Sequence, residues 1–335
     1  MDNLTHSLTG VFLSRAGLNR FAPDALPILV IAANAPDCDV VAFLGGPAAL
    51  LHWHRNFTHS LFFSPLMAVA SVLLVRAFTR KRDHWLGAVA IAWIAVLSHL
   101  VLDLTNHYGV RLFEPFSAEW LHWDTTYVVD PILWAVLLLA LFLPLLGRLL
   151  SSEMGQHRRK YPPRGWAIFA LTFFLLYDCG RAVLHARAVA TLDARMYAGE
   201  APIRVAAFPT LMNPLVWDGI AETAGRDSLY HFNLLAEFDP ETPLYFHRAS
   251  PGDALAPLRK NHDFAALIEF AQYPLWRVIN DEYNSRYALT DLRFGDPIAQ
   301  TMTCSARIVN DETNKKTIAD ERCDFSFSPA FTRLQ

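Results

Sequence analysis

Apolar runs separated by short polar stretches make up the first 190 residues, and the pattern then changes. Windows 60–78, 85–104, 129–147 and 165–187 each approach the roughly 20 apolar residues a helix needs to cross a bilayer. The run PILWAVLLLALFLPLLG has no charge, whereas 165–187 is interrupted by Asp178 and Arg181, which at i and i+3 are expected to neutralise each other. Ahead of these windows, LTHSLTGVFLS and ALPILVIAANA are apolar but too short to cross about 30 Å of hydrocarbon as straight helices. Arg15 and Arg20 lie between them. Hydropathy fits a hairpin within the membrane and a single span over 24–45 equally well.

Beyond residue 190 charges become frequent and prolines punctuate short alternating segments. RVAAF (204–208), SLYHFNLLAEF (228–238), YALTDLRF (287–294), TMTCSARIV (301–309) and RCDFSFS (322–328) are rich in strand formers, with turn residues between them. FAALIEFAQY (264–273) has helical spacing. The pattern predicts an α-helical polytopic membrane domain over 1–190, with about four full spans and a short N-terminal helical hairpin. A small α+β domain with an antiparallel sheet follows over 191–335. Composition agrees, at 53% hydrophobic and 18% charged residues. A formal charge of −3 gives no reason to expect a nucleic-acid partner. MDNLTHSLTG lacks the basic region of a cleaved signal peptide, so residue 1 is expected in the mature chain.

Basic residues near membrane ends favour the cytoplasm. Arg76, Arg80, Lys81 and Arg82 lie between the first two full spans, and Arg148, Arg158, Arg159, Lys160 and Arg164 between the last two. Both loops are therefore expected inside a bacterial-type inner membrane, with 45–59, 105–128 and everything after 190 outside the cytoplasm. Cys304 and Cys323 fall on two predicted strands joined by NDETNKK, whose turn holds their midpoint. Opposed strand positions are close enough for a disulfide, which an oxidising compartment would form.

This topology collects polar residues in one layer. His54, Arg55 and His59 stand at the outer mouth of the first full span, His99 and Asp103 near the outer end of the second, and Asp130 at the start of the third. The hairpin reading adds His6, Asp37 and Asp39 at the same level, and this convergence favours the hairpin. Ionisable groups at membrane depth are costly and mark sites. His99 and Asp103, four apart, share a helix face and can hold one metal or bridge two. PDCD sets two carboxylates after a helix-breaking proline. His54 and His59, five apart, cannot share a face of one continuous helix, so one of them is expected in a loop, with Asn56 or Thr58 capping the helix that follows. His107 is a weak spare ligand. Singly, each of these residues has an ordinary interfacial or packing explanation. Histidine and aspartate without thiolate suit zinc, then manganese or iron.

The series TH, APDCD, HRNFTHS, SHLVLDLTNHYGVRLFEPFS and VVDPILW resembles the YdjM/YfhP-type membrane-bound metal-dependent hydrolases over about residues 1–150. That family is distantly similar to zinc-dependent phospholipase C. The resemblance implies His6, Asp37 or Asp39, His54 or His59, His99 and Asp103 as metal ligands. His107 and Asn56 depart from the family pattern without removing a ligand. Several further ligands of the phospholipases have no counterpart here.

The implied activity is hydrolysis of an ester or phosphoester, lipid-linked substrates included, at the outer membrane face. Arg55 is then expected to stabilise developing negative charge, and whichever of Asp37 and Asp39 is not a ligand to orient the attacking water as base. The alternative is a non-enzymatic membrane protein that handles metal, protons or ions through the same residues.

Overall fold

The computed structural model describes residues 1–153, 164–281, 284–294, 297–298, 300–310 and 316–326. Its α-helices are α1 (Asn3–Arg15), α2 (Ala25–Asn34), α3 (Pro47–Trp53), α4 (Ser64–Thr79), α5 (Trp85–Leu104), α6 (Pro131–Glu153), α7 (Arg164–Asp193), α8 (Leu255–Leu258) and α9 (His262–Phe270). Its strands are β1 (Arg204–Pro209), β2 (Val216–Glu222), β3 (Arg226–Asn233), β4 (Leu244–His247), β5 (Pro274–Asp281), β6 (Asn284–Asp291), β7 (Thr303–Asn310) and β8 (Lys316–Asp324). They fall into two compact units. One comprises 1–39, 55–185 and 209–214, the other 40–54, 186–208 and 215–335.

The first unit is helical. Asp2 caps α1 by accepting from the Leu4 and Thr5 amides, satisfying two of the donors a helix start leaves unpaired. Gly17, at φ 127, turns the chain after α1 in a conformation that suits glycine. The N-terminal segments pack as a helical pair, α1 against α2, and α2 with the segment Pro36–Gly45, bent by 46°, also meets the length and composition of one broken span. Gly10 permits their close approach, because a Cβ there would lie 2.7 Å from the Leu29 carbonyl oxygen. Ile28, Leu29 and Ala32 of α2 bury against Val72 of α4 and Ile91 and Ala95 of α5. Phe12 of α1 packs with Leu133 and Leu137 of α6 and with Ala170 and Phe174 of α7.

Among the described residues, α5 and α7 are long and apolar enough to cross a membrane, and the number rises to four if two bent helix pairs each count as one span. The expected windows are therefore redistributed. Window 60–78 becomes helical only at Ser64, and the apolar part of α6, Pro131–Gly147, is shorter than a full span. Arg76, expected in a loop, lies inside α4, where its Nε is 3.5 Å from Asp24 and its guanidinium stacks over Trp85. Asp178 and Arg181 both turn to Thr125: the carboxylate accepts from its hydroxyl and the guanidinium donates to its carbonyl. Arg158, Arg159 and Lys160 lie outside the described residues.

The second unit holds two four-stranded sheets, ordered β1-β2-β3-β4 and β5-β6-β7-β8, in place of the single sheet expected. Phe208, Ile220 and Leu229 from the first share one core with Leu275 and Leu292. The helix expected over 264–273 is α9, capped by Asn261. Strands β2, β4 and β5 carry weak signals: Gly219 interrupts β2, and Pro274 opens β5. Gly219 is needed because a Cβ would come within 2.9 Å of Leu192.

Cys304 and Cys323 oppose each other on β7 and β8 and are joined by a disulfide. The ladder slips by one between Ser305 and Arg307, and Asp320 takes φ 49 at that bulge. Residues 311–315, which carry the expected turn, and 327–328, the end of the last expected strand, lie outside the described residues.

Two outcomes follow. Gly10→Leu is expected to drive α1 from α2 and destabilise the helical unit by about 1–3 kcal/mol, the usual cost of overpacking, read as a lower melting temperature in detergent. Mass spectrometry without reduction is expected to find Cys304 and Cys323 in one linked pair. Alkylation of both thiols would remove the disulfide.

Candidate metal centre

Three local rules deliver four side chains to one point. His99 and Asp103 are a turn apart on α5 and project from the same face. Pro36 ends α2 and opens the 3₁₀ segment Pro36–Gly45. With about three residues per turn there, Asp37 and Asp39 cannot point the same way. His59 ends the short 3₁₀ turn Phe57–His59.

The Nε2 atoms of His59 and His99 are 3.1 Å apart. Asp103 Oδ2 lies 3.2 Å from the first and 3.4 Å from the second. Asp37 Oδ1 lies 3.5 Å and 3.6 Å from the same two atoms. The side chains of His59, His99 and Asp103 have no exposed surface, and Asp37 keeps 11%, so the centre opens on the Asp37 side.

The far nitrogens of both rings are engaged. His99 Nδ1 is 2.7 Å from the Ala33 carbonyl, an acceptor only, so this nitrogen carries the proton. Ala33 can accept because α2 stops one residue later, leaving its last carbonyls without helical partners. His59 Nδ1 faces Asp39 Oδ2 at 3.2 Å, and the same oxygen accepts from Thr58 Oγ1 at 2.6 Å and from the Arg55 amide at 3.0 Å. Both rings therefore turn Nε2 inward, and Asp103 Oδ2 accepts no hydrogen bond.

A tetrahedral ion with ligands about 2.0–2.1 Å away has ligand-to-ligand edges of about 3.3 Å. The five distances above run from 3.1 to 3.6 Å. Spacing, ring orientation and donor type all fit a divalent metal.

Each expected site residue can now be placed. Asp37, His59, His99 and Asp103 form the group that could hold the ion. Asp39 stands behind His59 as its hydrogen-bonding partner. His6 stacks on the His99 ring with centroids 3.8 Å apart, and its Nε2 is 3.4 Å from the other Asp103 oxygen. That oxygen also meets the Met1 amino group and, at 3.2 Å, Arg55 Nη2. Arg55, expected to face a substrate, is buried: Nη1 donates to Asn106 Oδ1 at 2.9 Å and the guanidinium lies over Tyr108. Its φ of 59 is unusual for a residue with a side chain, and bonds through both its amide and its carbonyl hold it there. His54 closes α3, in the second unit, and is not one of the four. His107 packs against Tyr127. Neither Asn56 nor Thr58 caps α4; the Thr58 hydroxyl goes to Asp39.

Sequence reasoning gave Thr58 only a capping role and missed Asn106 and the Ala33 carbonyl. Asn106 follows Asp103 by three, a visible spacing, but nothing in the sequence announces a backbone acceptor.

A family model described as YdjM inner membrane protein matches residues 1–188. A protein named "Uncharacterized protein YfhP" from Bacillus subtilis (strain 168) is 29% identical over 142 residues, 39% of this chain and 42% of that protein. The chain thus spans less than half the length of this curated relative. No solved structure matches.

The two layers of the centre are expected to separate on mutation. His99→Ala should abolish stoichiometric metal binding, whereas Asp39→Ala and Arg55→Ala should weaken it about 10- to 100-fold, as outer-layer partners do. Competition with a chelator checks this; wild-type affinity in Asp39→Ala would strip Asp39 of its orienting role.

Proposed function

The chain belongs to the YdjM inner membrane protein family, and we propose that it is a metal-dependent hydrolase whose centre opens at the outer face of the membrane. The observation that carries this reading is the set of four inward donor atoms, two nitrogens and two oxygens, gathered within 4.8 Å of one another with five of their six separations between 3.1 and 3.6 Å. The donor set suits zinc, then manganese or iron. A divalent ion held there would supply an activated water at neutral pH and a Lewis acid for the oxygen under attack.

The residues divide the remaining tasks. Asp37, His59, His99 and Asp103 hold the ion. Asp39 and the Ala33 carbonyl fix the ring orientations. Asp37 Oδ2, buried and accepting no hydrogen bond, takes the proton of the attacking water. Of the two carboxylates expected as base, Asp39 is committed to Thr58 and His59. Arg55 balances the charge of Asp103 and, through it, the developing negative charge. The substrate class is an ester or phosphoester, with lipid-linked compounds favoured because the centre sits among apolar helices.

One observation favours a second reading. A separation of 3.1 Å between the two Nε2 atoms also suits a proton shared between the rings, as in a proton or ion relay. Metal analysis decides between them. Purified without chelator, the wild type is expected to carry stoichiometric metal that His99→Ala loses, together with any hydrolysis of phosphoester or lipid substrates. A metal-free wild type unchanged by His99→Ala would leave the relay as the better account.

The outward orientation rests on Arg80, Lys81 and Arg82 and on a disulfide that suits an oxidising compartment. A reporter active only outside the cytoplasm is expected to be silent when fused at Arg82 and active when fused after Arg195. The reverse pattern would turn the centre to the cytoplasm.

A further inference from the structure

A groove of about 380 Å³ runs between α1, α5 and α7, within the roughly 300–1,000 Å³ of small-molecule sites. Leu97, Val101 and Leu102 of α5 line it together with Leu171, Phe174 and Leu175 of α7. Polar residues also reach it, but their hydroxyls are already engaged. Thr9 donates to the Thr5 carbonyl, Ser98 to the Ala95 carbonyl and Thr105 to the Leu102 carbonyl. The groove thus presents hydrocarbon along its length. Asp178, held by the Thr125 hydroxyl, is the one charged residue on its wall.

This lining offers water too few partners to hold it in order. Both long walls belong to the two helices that are long and apolar enough to cross a membrane, so the space lies at the depth of lipid tails. On α5 the groove residues Leu97 and Val101 project from the face opposite His99 and Asp103, so this helix is a partition between groove and metal centre. The polar end, at Thr105, is two residues from Asp103.

We propose that the groove binds one hydrocarbon chain of a membrane lipid, seated so that the polar part of the lipid begins at the level of Asp103. The occupant is apolar because the walls are, and it is a lipid chain because that is the apolar material surrounding α5 and α7. The inference stands on the apolar helices and not on the hydrolase reading, and its test measures no turnover.

The full chain is placed in nanodiscs of phosphatidylethanolamine and phosphatidylglycerol doped with a phospholipid carrying a mid-chain diazirine. After photolysis, label is expected to be several-fold richer on Leu97, Leu171 and Leu175 than on Leu139 and Leu143, exposed residues of α6. Val101→Trp, which fills the groove from its half-exposed edge, is expected to bring groove labelling down to the α6 level without changing metal content. Even labelling of the two sets in the wild type overturns the proposal. So does groove labelling that survives Val101→Trp. Should that variant fail to fold, Leu175→Trp fills the groove from the opposite wall and is read in the same way.

Discussion

Two carboxylates and two imidazoles meet in a space nearly closed to water, and much of the helical unit is arranged around that meeting. At an effective dielectric of about 20, like charges 4 Å apart repel by roughly 4 kcal/mol, so ionised Asp37 and Asp103 need positive charge between or beside them. Part of it comes from Arg55, on the Oδ1 side of Asp103. On the Oδ2 side the neighbours are the inward nitrogens of His59 and His99, which is where an added cation completes the balance.

That requirement explains why the surrounding backbone is irregular. A straight α2 would have used the Ala33 carbonyl within its own hydrogen-bond ladder; ending it near Pro36 frees the carbonyl for His99. A 3₁₀ segment in place of an α-helix after Pro36 sends Asp37 inward and Asp39 to the back of the His59 ring. The left-handed residue at Arg55 lets one residue serve both neighbours, its amide bonding Asp39 and its guanidinium bonding Asp103. The regular helices supply the rigid part of the centre, and the irregular segments aim it.

The helical unit shows the balance between apolar packing and polar cost at its other end too. Asp24 and Arg76 are buried together, with Trp85 against the guanidinium, at the start of α2 and in the last turn of α4, the ends away from Asp37 and His59. An ion pair of this kind gains little net stability over an apolar contact, but losing one partner leaves a buried charge. The β unit relies on other means: a shared apolar core between two sheets, and a disulfide that ties its last two strands beside a bulge.

Some of this protein was determined by local sequence alone. The apolar windows identify helices that prefer lipid, the four-residue spacing of His99 and Asp103 puts both on one face, and the alternating segments after residue 190 mark strands, because each depends only on the period of its own element. That Cys304 and Cys323 lie on neighbouring strands was legible too, but the register beside the turn would oppose Cys304 to Arg322, and it is the bulge between Ser305 and Arg307 that brings Cys323 opposite. What the sequence left open depends on neighbours distant along the chain. The gathering of His59 with Asp37, His99 and Asp103, the inward commitment of Arg55, and strands β2 and β5 with their glycine and proline were decided by tertiary packing. Which way a side chain faces out of an irregular turn is set by what it can bond to there, and an acceptor such as the Ala33 carbonyl exists only once α2 has ended beside α5.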